Sequence, residues 1–239
     1  MTGDTDSFRT ALAAALRRGF QYALGLLGIT GVAALLYASL SARLSIVGAF
    51  EATVRFFSYF TIQSGLAAIA WTLVQAARSP TRTPNPSRGA DLGALLHLAF
   101  LTSSILTAGG YYALLHDRSA PQGLHAFGDL LLHAVVPAML VLDWILFAPK
   151  GRFQASWIPV VLALPLLHLG LTAALHGWLG TYPYYFLDPT RLGVPAFLRN
   201  VGVFAAIFLI VGALLVLADR LVARIGRSVS KKKEVPPAC

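Results

Sequence analysis

GFQYALGLLGITGVAALLYASLSA, residues 19–42, runs from Arg18 to Arg43 without one charged side chain. A hydrocarbon core of ~30 Å is crossed by about 20 apolar residues in a helix that rises ~1.5 Å per residue. The stretch therefore reads as a membrane span, and it is too long for the apolar part of a cleaved signal peptide. Five further stretches meet the same test: residues 56–77, 92–115, 124–147, 156–179 and 200–218. The expected fold class is all-α, a polytopic bundle of six transmembrane helices. Residues 1–18 form an N-terminal segment, 19–226 a single transmembrane domain and 227–239 a basic tail. Of 239 residues, 56% are hydrophobic and 12% charged, and the mean hydropathy is +0.68, which leaves no room for a soluble enzyme module.

A net charge of +9 in a soluble protein would suggest nucleic acid. Here the basic residues flank apolar spans, where they set topology and meet anionic lipid headgroups, so no nucleic-acid partner is expected. With six spans, the side that holds neither terminus carries only Arg43, Arg55, Arg118, Arg191 and Arg199 of the 19 basic residues. The positive-inside rule then places both termini in the cytoplasm. Usage rich in Ala, Leu and Arg suits a bacterial cytoplasmic membrane. The single cysteine, Cys239, belongs to no metal-ligand pattern and lacks the spacing for prenylation. Three prolines between Ser79 and Arg88 predict a loop. Residues 45–55 repeat Ile46, Phe50 and Val54 at fourfold spacing, which suits an interfacial helix or an extension of the second span.

Arg55 to Ser64, RFFSYFTIQS, opens the second span with an unusual density of polar groups, centred on Thr61. The fourth span is the most polar, with His125, Asp129 and His133 spaced by four and hence on one helical face. Both spans run inward under the expected topology. At the helical rise, Thr61 lies roughly 10 Å and His133 roughly 13 Å below the outer boundary, so the two can meet. A threonine hydroxyl becomes a useful nucleophile when a base takes its proton, and histidine is the usual base. Asp129 would orient His133 or stabilise its imidazolium, as the third member of a triad does. Against this stand two bland readings, a hydroxyl bonded to its own helix one turn back and a polar clamp between helices. Ionisable groups in hydrocarbon are costly, which favours function for His133 and Asp129.

Around this pair, Arg55 is placed to hold a substrate carboxylate or phosphate, with a snorkelling interfacial arginine as the alternative. His168 and His176, with Thr172 between them, line an outer cavity on the fifth span, and Tyr59, Gln63, Ser64 and Tyr184 are candidate hydrogen-bond donors toward a substrate. Asp143 and Trp144 read as a partly solvated carboxylate, pairing with Lys150 or Arg152, and an interfacial anchor. His97 reads as structural. The pairs His125/His133 and His168/His176 have matched spacing that would suit a bis-histidine haem, but no attachment motif is present, and neither cofactor nor metal is expected.

Tyr59-Phe60-Thr61 with the following Ile-Gln-Ser, His133-Ala-Val-Val-Pro137 leading to Asp143-Trp144, and Tyr182 to Pro189 resemble the androgen-induced-gene / androgen-dependent TFPI-regulating protein family and its bacterial six-helix relatives. The resemblance covers the second to the sixth span. Animal members of that family are multipass threonine hydrolases of fatty acid esters of hydroxy fatty acids. The resemblance implies Thr61 as nucleophile, His133 as base and a lipid ester as substrate. Pro137 follows His133 by four residues, one fewer than in the animal proteins, and the bacterial pattern fits better. The competing reading is a lipid-binding or small-solute transport protein in which the same polar groups line a cavity.

Overall fold

The computed structural model describes residues 2–78 and 89–234. The expected proline-rich loop and Cys239 lie outside the described residues. Ten α-helices follow in order: α1 (Thr2–Val47), α2 (Ala49–Phe57), α3 (Phe60–Ala77), α4 (Gly89–Gly110), α5 (His116–Ser119), α6 (Gly123–Leu130), α7 (Val136–Phe147), α8 (Ala163–Leu179), α9 (Pro189–Leu192) and α10 (Val194–Glu234). No strand occurs among the described residues. Helices merge into six segments long and apolar enough to cross a membrane: Ser7–Arg43, Phe60–Ala77, Leu92–Arg118, Gly123–Phe147, Ala155–Leu179 and Val194–Ser228.

The charge-free cores sit inside longer helices than hydropathy alone suggests. The Ala-rich N-terminal stretch is continuous with the first span, and α10 runs to Glu234. The second span, by contrast, starts at Phe60 rather than Phe56. Residues 49–57 form a separate helix, set off from α1 by Gly48 at φ 78°. It ends where the Ser58 hydroxyl donates to the Arg55 carbonyl and Tyr59 turns extended. This break puts Thr61 in the first turn of α3.

Lipid tails are as apolar as leucine, so helices in a membrane associate through close packing rather than hydrophobic burial. α1 supplies the close approach. A Cβ on Gly28 would lie 2.4 Å from Ile69 Cδ1, and one on Gly31 would lie 2.9 Å from Leu131 Cβ. A Cβ on Gly128 of α6 would in turn come 3.1 Å from the Gly31 carbonyl oxygen. α3 and α6 can therefore both lie against α1; Thr61 rides on α3, and His133 on the turn that directly continues α6.

Two π-turns interrupt the spans. Pro137 offers no N–H, and its ring crowds the carbonyl four residues back. The chain widens over Leu131–Val135, closed by Val136 N–H on the Leu131 carbonyl. A second widening, Tyr111–Leu115, follows Gly109 and Gly110, closed by His116 N–H on the Tyr111 carbonyl. Such turns commonly mark functional sites because they re-aim side chains.

The opposite end of the bundle corrects two expectations. Asp143 is buried and accepts from Gln21 Nε2 at 3.0 Å rather than pairing at a wet interface. Trp144 is buried too, its ring stacked on Phe153 at 6.1 Å. Lys150 folds back over this end, its Nζ donating to the Trp144 and Ala148 carbonyls at the end of α7. The Phe153 N–H is held by buried Asp219 at 2.9 Å. Burial, with Arg17 nearby, lowers the Lys150 pKa against the opposing pull of Asp219 and Asp143.

Candidate active site

Several hydroxyls in the spans are spent on their own helix. Ser64 donates to Phe60, Thr72 to Ala68, Thr102 to Leu98, Thr107 to Ser103 and Thr172 to His168, each to the carbonyl four residues back. Thr61 differs because the residue four back, Phe57, lies in α2, and its carbonyl is taken by Gln63 Nε2 at 2.9 Å. The Thr61 hydroxyl meets His133 Nε2 at 3.3 Å instead.

His133 is held from both sides. Its Nδ1 lies 3.1 Å from the Asp129 backbone carbonyl and 3.4 Å from Asp129 Oδ1. A carbonyl only accepts, so Nδ1 carries the proton and Nε2 presents its lone pair to the Thr61 hydroxyl. The network thus assigns the tautomer that a base needs. The Tyr111 ring lies on the imidazole at 3.8 Å and 13°. Tyr111 also donates its hydroxyl to Asp129 Oδ2 at 3.0 Å and lies 3.4 Å from His116 Nδ1. His125 Nδ1 comes within 3.0 Å of the same carboxylate oxygen, but off the line of a hydrogen bond. Thr61, Asp129 and His133 are 9%, 6% and 5% exposed, so a charge formed here is poorly screened by water.

The first turn of α3 adds donors. Its opening N–H groups have no partner within the helix, and they carry the positive end of its dipole. Phe60 N–H donates to the Tyr184 hydroxyl at 3.0 Å. The Tyr184 hydroxyl also lies against the Thr61 hydroxyl and backbone N–H. Burial pushes its pKa up to about 12, so the phenol stays protonated at neutral pH. Having accepted from Phe60, it keeps its own proton to donate.

Two cavities share this wall. One, about 370 Å³, is lined by Arg43, Arg55, Arg118, His125, Asp129 and His133 among others. The other, about 620 Å³, is apolar and bounded by the C-terminal end of α4 and the N-terminal parts of α8 and α10. Thr61, Tyr111, Leu115 and Tyr184 line both.

The remaining expected site residues divide. Arg55 faces the first cavity, pairs with Glu51 at 2.6 Å, and reaches the Thr181 hydroxyl and Leu179 carbonyl, a fixed tie rather than a snorkelling chain. His168 lines the apolar cavity, 3.2 Å from Gln63 Oε1. Ser64 and His176 line neither cavity. Ser64 is spent on Phe60, and the His176 ring stacks on Tyr182 at 4.5 Å, so neither stands at the Thr61 pair. Fourfold spacing brings His125, Asp129 and His133 to one place, but the Asp129 contact closest to His133 is its backbone carbonyl. Tyr111 and the α3 N–H groups escaped the sequence reading. The Tyr111-Tyr112 pair after two glycines near the C-terminal end of the third span was the one signal for Tyr111. Among the described residues no cluster of three His, Cys, Asp or Glu side chains is arranged to hold a metal ion.

No family model, curated protein or solved structure matches this chain.

Proposed function

We propose that the chain is an intramembrane lipid-ester hydrolase with Thr61 as nucleophile and His133 as base. The supporting observation is the 3.3 Å approach of the Thr61 hydroxyl to His133 Nε2, from helices linked only through tertiary packing. The Thr61 oxygen attacks the ester carbonyl carbon as its proton passes to Nε2. The tetrahedral oxyanion is met by the Tyr184 hydroxyl, which the Phe60 and Thr61 N–H groups hold in place. Nε2 returns the proton to the departing alkoxide, leaving an acyl ester on Thr61. Water, deprotonated by the same nitrogen, attacks that ester, and the threonine leaves with the proton restored. Asp129 stabilises the transient imidazolium, and Arg43 and Arg118, beside the Glu51-paired Arg55, give the polar cavity positive groups for a carboxylate or phosphate.

This reading agrees with the resemblance to the androgen-induced-gene family, and with the expectation of cytoplasmic termini in a bacterial inner membrane. Thr61 then lies in the outer half of the bilayer, with anionic headgroups against the basic cytoplasmic ends. A non-enzymatic lipid-binding protein is the rival, since a two-part cavity serves binding equally well.

The deciding experiment is reaction of the purified protein with a fluorophosphonate probe, with Thr61→Ala and His133→Ala in parallel. Labelling of wild type, its loss in Thr61→Ala and a fall of ~10²-fold or more in His133→Ala are expected. An unlabelled wild type, or a Thr61→Ala protein that labels as strongly, refutes the reading.

A further inference from the structure

We propose that the apolar cavity is the binding site for the acyl arm of the ester, and that this arm enters sideways from the membrane between α8 and α10. The inference rests on the hydrolase reading of Thr61 and adds which half of the substrate goes where, and by what route.

Thr61 stands where two unlike spaces meet, so the two arms of an ester held at its hydroxyl must part in different directions. The smaller space mixes apolar residues such as Leu35, Phe56 and Ile62 with Arg43, Arg55, Arg118, His125 and Asp129. A hydrocarbon chain there would strip water from the Arg43 and Arg118 guanidinium groups and return no hydrogen bonds, a costly exchange. The larger space is lined almost wholly by apolar side chains such as Leu106, Leu166, Val203 and Phe208. It has room for a long flexible chain, and its polar lining residues already have protein partners: Thr107 donates to the Ser103 carbonyl, Asn200 to the Phe186 carbonyl, and His168 Nδ1 lies 3.2 Å from Gln63 Oε1. The polar leaving portion and the deacylating water therefore use the basic cavity, and the acyl arm the apolar one.

The entrance follows from how the last two spans pack. The fifth and sixth are only 17% and 22% buried, against 39–44% for the others. The fifth begins with a 3-10 turn, Ala155–Leu162, packed on α10 and α4. It then continues as α8, which leans on α3. Leu166 on α8 and Val203 and Ile207 on α10 line the cavity while remaining exposed on helices that face hydrocarbon. An opening rimmed by such residues at membrane depth faces acyl chains rather than water. Gly109 and Gly110 keep the inner wall clear, since a Cβ on either meets nothing within 4 Å.

The test uses the full chain in lipid nanodiscs and p-nitrophenyl esters from butyrate to palmitate, which vary the acyl arm and hold the leaving group constant. Gly110→Phe and Ala205→Phe fill the cavity from opposite walls, so the loss of one variant to misfolding leaves the other. Wild type is expected to favour long chains, and each variant to lower the palmitate-to-butyrate rate ratio on the order of tenfold. A ratio unchanged in both variants overturns the proposal. A second arm separates it from the hydrolase reading: Thr61→Ala is irradiated with a diazirine-bearing palmitate, and the crosslinked peptides are mapped. Crosslinks on α4 and α10 that fall away in the added Ala205→Phe background support the acyl site even if no ester is turned over. Crosslinks confined to the basic cavity, or spread evenly over the lipid-facing surface, overturn it.

Discussion

Tyr111→Phe removes the hydroxyl that reaches Asp129, together with its 3.4 Å approach to His116 Nδ1, and keeps the ring that covers His133. The donor lies 3.0 Å from a buried carboxylate, and a hydrogen bond to a charged acceptor contributes about 1.5–3 kcal/mol. Without it, Asp129 loses its best-aligned side-chain donor and can rotate away from His133. If that freedom is expressed in the transition state, at about 1.4 kcal/mol per factor of ten the rate falls roughly tenfold to a hundredfold. Tyr111→Leu also removes the stack, which is worth a further ~0.5–1.5 kcal/mol. The assay is the second-order rate of fluorophosphonate labelling between pH 5 and 9, with melting temperatures measured alongside. A positioning role moves both the rate and the shape of its pH profile in the order wild type, Tyr111→Phe, Tyr111→Leu. A Tyr111→Phe protein within twofold of wild type at every pH, with an unchanged profile, refutes the reasoning.

Asp129→Asn keeps the backbone carbonyl on His133 Nδ1 and removes only the charge, so its labelling rate should fall less than that of His133→Ala; equal losses would contradict this division of roles. Tyr184→Phe should lower labelling ~10²-fold or more as an oxyanion donor is lost. The Tyr184 pKa is raised from 10.0 to about 12. Between those values the folded state holds a proton that the unfolded chain has released, so stability should fall with rising pH there, and less in Tyr184→Phe; melting curves in that range test the sign. Gly31→Val places a branched side chain 2.9 Å from Leu131 Cβ and should cost about 1–3 kcal/mol, read as a lower melting temperature with a disproportionate loss of labelling, because α6 and α7 carry His133. Asp188 caps α9 through the Thr190 and Arg191 N–H groups. Burial pushes its carboxyl up, but the Thr190 hydroxyl and these N–H groups outweigh it and lower the pKa below 3.8. Its stabilisation, about 1 kcal/mol, is complete above that value and is lost as pH falls through the folded pKa, so the melting difference from Asp188→Ala should close in acid.

Six spans were readable without any structure because the requirement is one-dimensional: about 20 consecutive, predominantly apolar residues cross hydrocarbon, whatever they pack against. The fourfold spacing of His125, Asp129 and His133 was equally legible, since a helix puts such residues on one face. Depth reckoning went one step further and put Thr61 and His133 at a common level. Three things needed the tertiary structure. The break at Ser58–Tyr59 decides that Thr61 sits in a helix's first turn, free of the back-bond that occupies Ser64, Thr72, Thr102, Thr107 and Thr172. The widened turn ahead of Pro137 and the glycine contacts along α1 decide which way His133 points. The meeting of two cavities at Thr61 depends on where α8 leaves α10. Hydropathy and spacing report on each helix alone, whereas all three outcomes are distances between helices, set by which side chains are small enough to let backbones approach.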